Sequence, residues 1–338
     1  MNALMQLAYR ILDFCYGKRK GESISSPLST TFERWSEVVQ ALDQQVILIT
    51  GASTGIGAAT ATVLASRYPG IRLVLAARSA DKLEAIATTC QKVGAEVCVI
   101  PTDMGQPEQV AALAEQALQT FGRIDALVNN AGYGQMGPVE LIPIEAVRQQ
   151  FEVNVIGATR LIQAVIPVMR QQGGGRIVNI SSIGGQVAFP MGGVYSASKF
   201  ALEGLSDALR MELDPFNIKV SVIEPGPVQT EFFDVANRQL QEIPTPLADS
   251  PYRAAMQNLE QLNQRLTSQA WSSEQVADVV IQALRDPHPK PRYVAATGGE
   301  ILLWLMKKVL PTSAVDSFWQ RFYGIDRIKQ TWQQESRP

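Results

Sequence analysis

The chain has 338 residues, 46% hydrophobic and 18% charged, with a formal net charge of −2. That length and composition suit one large globular α/β domain with extensions, or two smaller ones, and the near-neutral charge gives no general pull toward nucleic acid. Cys15, Cys90 and Cys98 show neither metal nor disulfide spacing, which fits a reducing compartment, and the single histidine, His288, sits in a turn-like Asp-Pro-His-Pro run, so neither histidine catalysis nor a multi-histidine metal site is expected.

Residues 1–43 precede the first strong strand. Leu4, Leu7, Ile11 and Cys15 fall at helical spacing, with Lys18-Arg19-Lys20 behind them. Such a short amphipathic helix docks on its own domain, docks on a second subunit, or lies on a membrane surface. Gly21 to Thr30 reads as a linker, and a second helix is expected over Phe32 to Leu42. The first residues carry no secretory pattern. No apolar run reaches the ~18–20 residues that span a bilayer; the longest, Ile301 to Met306, stops at Lys307-Lys308. The expected location is cytoplasmic, with peripheral contact at a membrane surface left open.

Gln45 to Thr50 is an apolar run rich in β-branched residues, the pattern of a buried parallel strand. Gly51-Ala52-Ser53-Thr54-Gly55-Ile56-Gly57 follows directly, then an Ala-rich helix from Ala58. Strand, glycine turn and helix in this order form a phosphate-binding unit: glycines allow close backbone approach, and the helix start offers unpaired N–H groups. A second strand, Ile71 to Ala77, ends not in an acidic residue but in Arg78, which suits a 2′-phosphate and favours NADP(H) over NAD(H).

Alternation continues with a helix over Asp81–Lys92, a strand over Ala95–Ile100 and Thr102-Asp103 at its end, a helix over Pro107–Phe121, and a strand over Ile124–Val128 running into Asn129-Asn130-Ala131-Gly132. This order predicts a three-layer, doubly wound parallel sheet of the Rossmann type. Pro143 to about Gln172 is a long helical stretch holding Asn154, an amide that is costly there unless hydrogen-bonded. Arg176 to Ser182 is a strand ending in two serines.

Tyr195-Ser196-Ala197-Ser198-Lys199 reads as the start of a helix. Residues i and i+4 share a helix face, so the phenol and the ammonium can aim at one spot. A free phenol titrates near pH ~10; a nearby cation lowers that value and makes the phenol a proton donor and acceptor near neutrality.

Together these pieces resemble the short-chain dehydrogenase/reductase family, over about residues 45–295. The matching motifs are Thr50-Gly51-x-x-x-Gly55-Ile56-Gly57, Asn129-Asn130-Ala131-Gly132, Asn154, Ile180-Ser181-Ser182, Tyr195-x-x-x-Lys199 and Pro225-Gly226-Pro227-Val228. The resemblance implies a catalytic set of Asn154, Ser182, Tyr195 and Lys199. Tyr195 gives and takes the proton. Lys199 depresses its pKa and holds the nicotinamide ribose. Ser182, preferred to Ser181 by its spacing from Tyr195, orients the substrate oxygen, and Asn154 holds a relay water. It further implies that Gly51, Ser53, Thr54, Gly55, Ile56 and Gly57 form the pyrophosphate turn. Asp103, with Met104 beside it, meets the adenine, and Asn130, Ala131 and Gly132 take the ribose side. Pro225, Gly226, Val228 and Thr230 approach the carboxamide. The chemistry is hydride transfer at a carbonyl or alcohol carbon, without a metal.

Phe232 to Trp271 is the least regular stretch and is expected to form a lid. A helix over Ser273–Arg285 and a last strand over Pro291–Ala295 follow. Ser198 to Leu205 and the stretch from Ala283 to Tyr293 resemble the hydroxysteroid and retinol dehydrogenase branch, which implies a lipophilic substrate, although the lid lacks the histidine of some steroid-specific members. The expected organisation is an extension over 1–43, the nucleotide-binding domain over 44–298 and a helical extension over 299–338. The apolar, aromatic and basic tail suits a membrane interface, a helix across the substrate mouth, or a contact in the expected homo-oligomer. Rivals are a 3-oxoacyl thioester reductase, which shares the catalytic motifs, and an NADP(H)-sensing scaffold without turnover. The T-G-x-x-G-x-x-G pattern of sugar epimerases is absent.

Overall fold

The computed structural model describes residues 41–241, 250–253, 255 and 270–328, all within the unit that begins at Ala41. The helix expected before residue 16, nearly all of the one expected over 32–42, and most of the stretch over 242–269 lie outside them.

Seven parallel strands stand in the order β3-β2-β1-β4-β5-β6-β7. They are β1 Val46–Thr50, β2 Arg72–Ala77, β3 Glu96–Pro101, β4 Ala126–Asn129, β5 Gly175–Ile180, β6 Ile218–Pro225 and β7 Arg292–Ala295. The runs of the inner strands β1, β4 and β5 are buried on both faces, as a sheet sandwiched between helices requires, while the edge strand β3 is only partly covered. On β1, Ile47 and Ile49 enter one core and Val46 and Leu48 the other, following the two-residue period of a strand.

Helices α1 Gly55–Arg67, α2 Ala80–Gln91 and α7 Ser273–Arg285 cover the first face, through Leu64, Leu83, Val280 and Leu284 among others. Helices α3 Pro107–Phe121, α4 Ile144–Gln171 and α5 Gly193–Leu213 cover the second, through Leu113, Leu161, Val165 and Leu209. Ser272 caps α7 in a reciprocal box with Gln275. The doubly wound three-layer fold is thus as the alternation predicts.

Two elements differ from the sequence reading. Phe232–Gln241, expected to be irregular, is a helix, α6. The long helix α4 is interrupted by a π-helical segment, Glu152–Gly157, just where Asn154 lies. A methyl group at Gly157 would come within 2.2 Å of the Met104 carbonyl oxygen, so the widened turn crosses the end of β3 at a point only glycine permits. By length and composition α4 is also apolar enough to cross a membrane, unlike the short run Ile301–Met306 singled out from the sequence. Its apolar residues Leu161, Ile162, Val165 and Met169 pack on the sheet.

After β7 the chain forms α8 Gly299–Trp304, continues as a π-helical turn over Leu305–Val309, and ends its described part with α9 Thr312–Tyr323 and a few residues beyond.

Candidate active site

Strand order reverses at β1, which pairs β2 on one side and β4 on the other. In open α/β sheets ligands sit at the strand ends of such a switch point. Here the ends are joined by one side chain. Thr50 Oγ1 donates to the Val128 carbonyl and accepts the N–H groups of Asn130 and Ala131, each at 3.0 Å. Asn130 Nδ2 in turn donates to the carbonyls of Thr50 and Gly51 at 3.0 and 3.1 Å. The amide that the resemblance placed on the ribose side is therefore spent on holding the glycine turn.

That turn is shaped by its glycines. Gly51 has φ +64°, and a Cβ there would meet Ala131 Cα at 2.9 Å; a Cβ on Gly57 would lie 2.3 Å from the Gly51 carbonyl oxygen. The helix α1 begins with no side-chain cap at Thr54, so its first N–H groups face the cavity unclaimed. Gly51, Ser53, Thr54, Gly55 and Ile56 line the cavity mouth on this side; Arg78, Asp103, Met104, Asn130, Ala131 and Gly132 line the next; and Pro225, Gly226, Val228 and Thr230 line the third. Asp103 Oδ1 accepts the Gly105 N–H at 2.9 Å, which fixes its carboxylate at the rim. Arg78 is exposed just past β2, and Ser79 and Lys82 line the cavity with it. The whole cavity measures about 1320 Å³, above the usual ~300–1,000 Å³ of a single-ligand pocket. An uncapped helix start, a backbone cradle that a Cβ would fill, and this volume fit a dinucleotide with a second ligand beside it.

The catalytic candidates meet at the cavity floor. Ser182, just past β5, accepts the Gly184 N–H at 3.0 Å and is hydrogen-bonded to the Tyr195 phenol. Tyr195, in the first turn of α5, is 8% exposed, and the Phe232 ring at the start of α6 lies over it with centroids 5.4 Å apart. Lys199 Nζ lies 5.9 Å from the centroid of the Tyr195 ring and donates to the Ile180 carbonyl at 2.8 Å.

The pKa pattern corrects the sequence expectation. Burial pushes the Tyr195 phenol up to about 12, and its bond with Ser182 opposes this only in part. Burial also lowers Lys199 to about 8, with the Glu203 carboxylate opposing. The ammonium is aimed at a backbone carbonyl rather than at the phenol, and desolvation outweighs attraction, so in this state the phenol keeps its proton.

Asn154 also departs from expectation. Its Oδ1 accepts the Tyr133 N–H at 3.1 Å, and its Nδ2 donates to the Tyr133 carbonyl at 3.0 Å and to Ser198 Oγ at 3.2 Å. Gln150, one turn earlier and fully buried, donates to the same Tyr133 carbonyl at 2.7 Å and accepts the Gln135 N–H. The pair clamps the loop after β4, and Asn154 acts here through backbone, not on the open cavity. Gln150 was not marked by the sequence analysis; its place one helical turn before Asn154, on the same face, was the available signal.

The far wall comes from the tail. Leu302, Leu303, Met306, Trp319 and Tyr323 line the cavity, and Tyr323 stacks on Phe189 with centroids 5.7 Å apart. Of the roles left open for the tail, this geometry supports the helix across the substrate mouth. Among the described residues no cluster of three or more His, Cys, Asp or Glu is placed to hold a metal.

The chain belongs to the short chain dehydrogenase family, whose model matches residues 45–241. It is an oxidoreductase of the kind that acts on CH–OH groups and uses a nicotinamide cofactor. It is 38% identical over 256 residues to human 17-beta-hydroxysteroid dehydrogenase type 1, covering 73% of this chain and 76% of that protein. It is 40% identical over 202 residues to 3-ketodihydrosphingosine reductase of Bacteroides thetaiotaomicron, covering 60% and 70% respectively. Among solved structures, a short chain dehydrogenase/reductase from Burkholderia phymatum in complex with NAD superposes with a TM-score of 0.69 at 29% identity, covering 78% of this chain and 93% of that one.

Proposed function

We propose that this protein is an NADP(H)-dependent oxidoreductase that interconverts a lipophilic carbonyl compound and its alcohol, with Tyr195 as the acid/base. The observation that carries the reading is the buried Tyr195 phenol, hydrogen-bonded to the half-buried Ser182 at the floor of a cavity whose other end is the glycine turn of α1. When bound, the nicotinamide supplies or takes the hydride. The residues of the chain do the rest. The Ser182 hydroxyl orients the substrate oxygen beside the phenol. Tyr195, protonated at neutral pH, gives its proton to that oxygen as the carbonyl carbon becomes a carbinol. The Lys199 ammonium lies beneath, where positive charge favours the phenolate left behind.

Substrate class follows from the walls. Val187, Phe189, Met191, Leu302, Leu303 and Met306 line the end beyond Tyr195, so a bulky apolar ketone or alcohol is favoured. The names of the hydroxysteroid dehydrogenase and the ketodihydrosphingosine reductase among its relatives support that class. For the cofactor, the exposed Arg78 just past β2 supports a 2′-phosphate: it has no ion pair among the described residues, and Ser79 and Lys82 line the cavity with it. A reducing, cytoplasmic setting accords with the free thiols of Cys90 and Cys98. Exposed Ile156 on α4 and Phe200 and Met211 on α5 offer apolar surface for a second copy.

The test is oxidation of NADPH and of NADH by the purified protein with retinal, steroid ketones and an acetoacetyl thioester, with Tyr195→Phe as the blank. Tyr195-dependent turnover of an apolar ketone or aldehyde with NADPH is expected. Turnover of the thioester alone would replace this reading with the thioester reductase.

Peripheral membrane contact rests on a separate observation. Ile301, Trp304, Leu305 and Val309 are exposed at spacings of three and four, opposite the residues of the same segment that wall the cavity. Sedimentation with phosphatidylserine-containing vesicles, lost in Trp304→Glu, is the expected result; a protein left in the supernatant contradicts it.

A further inference from the structure

Tyr195 and Lys199 are the first two of three residues in a row. Glu203 follows at the same interval on α5, and positions i, i+4 and i+8 stack along one helix face. Glu203 is 4% exposed. A buried carboxylate is costly unless paired, and the surroundings show what pairs it. Arg292 on β7 donates through Nε to Glu203 Oε2 at 3.0 Å, reaches Glu224 Oε1 on β6 at 3.3 Å, and through Nη2 meets Asp207 at 2.6 Å. Gln186 Nε2 bridges the same two buried glutamates, at 3.1 Å to Glu203 and 2.9 Å to Glu224. Lys307, in the π-helical turn after α8, donates to Gln186 Oε1.

Gln186 is not a remote residue. It ends the short turn, Ile183–Gly185, that Ser182 caps. Gly185 in that turn approaches so closely that a Cβ there would lie 3.1 Å from Lys199 Cβ and 3.2 Å from Glu203 Cγ. The serine turn, the lysine and the glutamate therefore pack as one unit. The charged and titratable groups around Lys199 and Glu203 are Tyr195, Asp207 and Arg210 on α5, Glu224 on β6, Arg292 on β7, and Lys307 in the tail segment. Arg292 is shared among three acids, so Glu203 keeps negative field to spare for the ammonium one turn away, which it stabilises in the charged form.

We propose that Glu203 is a positioning residue for the reaction: it holds the Lys199 ammonium charged and in place beneath Tyr195, and is itself fixed by Arg292 and Gln186. Three of the partners, Glu203, Gln186 and Glu224, come from the family core, whereas Arg292 and Lys307 lie beyond residue 241, where the family match ends. The tail thereby joins the catalytic row through charge as well as through the cavity wall. The inference rests on the roles proposed above for Tyr195 and Lys199.

The test uses the full chain and two readouts. The first is the pH profile of kcat for ketone reduction in Glu203→Gln and Glu203→Asp. Removing the negative charge lets Lys199 lose its proton earlier, so the basic limb of Glu203→Gln moves to lower pH by about one unit, with KM little changed, and Glu203→Asp restores most of the shift. The second needs no turnover: melting temperatures of Glu203→Gln, Lys199→Met and the double variant at pH 7. The two single effects are expected to be non-additive, as for charges in contact. A melting cycle that couples, in a protein that reduces no carbonyl, supports the Glu203–Lys199 link and moves the failure to the proposed reaction. An unmoved basic limb, or additive melting effects, overturns the proposal.

Discussion

The ring of Phe232 rests on that of Tyr195, with centroids 5.4 Å apart and planes tilted by 60°. It also fills the space over Gly134, where a Cβ would come within 2.5 Å of Phe232 Cζ. The first residue of α6 thus seals the phenol from water and contributes to the burial that pushes Tyr195 up to about 12.

Phe232→Ala should therefore lower the Tyr195 pKa toward the ordinary phenol value of ~10. Phenolate absorbance, read against the corresponding Tyr195→Phe protein as blank, measures it directly. A value unchanged by the substitution would mean that the other walls of the cavity do the desolvation.

The glycine turn gives a sharper steric prediction. A methyl group on Gly57 would lie 2.3 Å from the Gly51 carbonyl oxygen, a backbone atom that cannot swing aside. Gly57→Ala should cost about 1–3 kcal/mol of stability and weaken nicotinamide cofactor binding more than tenfold. Calorimetry of NADPH binding and a thermal melt measure the two effects. Normal affinity would show that the turn relaxes without loss.

Doubly wound topology was legible because its signals are local. β-Branched runs, a glycine turn after the first of them and a cap before α7 each act within a few residues. The catalytic row was legible for the same reason, since a spacing of four on a helix needs no tertiary information. Asn154 was marked as a polar residue in an apolar helix, yet its task was not. Whether that amide faces open cavity or the Tyr133 backbone depends on how α4 meets the loop after β4, and on a π-helical segment that no propensity reveals. The Tyr195 pKa was read from one neighbour, Lys199, because a pair is visible in sequence; burial is a sum over Phe232, Ser182 and the surrounding walls, which are far apart in the chain. Arg292, Glu224 and Glu203 belong to three elements, and nothing in the sequence brings them together before the sheet does.

That charged cluster makes stability depend on pH. Burial, and repulsion from Glu203, raise Glu224 to about 7, above its value in the unfolded chain, ~4.3. Between those two values the folded state binds the extra proton, so its stability falls as pH rises from about 4.3 to about 7 and then levels. Arg292→Met removes the cation that offsets both acids. It should destabilise the protein by about 1–3 kcal/mol at pH 8, allowing for the partial exposure of Arg292, and by much less at pH 5, where the acids can be protonated. Melting curves at the two pH values decide the matter. An equal loss at both would show that packing, not charge, is what Arg292 supplies.

Arg78 is the residue on which the cofactor preference turns. Arg78→Asp should reduce NADPH affinity by about tenfold or more relative to NADH, the worth of one charge-assisted contact. Binding titrations with both cofactors give the ratio without any substrate. An unchanged ratio would assign the 2′-phosphate to Lys82 and Ser79, or remove the preference altogether.

The most direct test of the central claim follows the hydride and the proton together. The purified protein is given NADPH deuterated at C4 of the nicotinamide and a bulky apolar ketone, and the alcohol is examined by mass spectrometry, beside Tyr195→Phe. One deuterium on the carbinol carbon, formed by the wild-type protein and not by the Tyr195→Phe protein despite equal NADPH binding, is the predicted result. Alcohol formed at the same rate by Tyr195→Phe would contradict it, as would tight NADPH binding without reduction of any carbonyl compound.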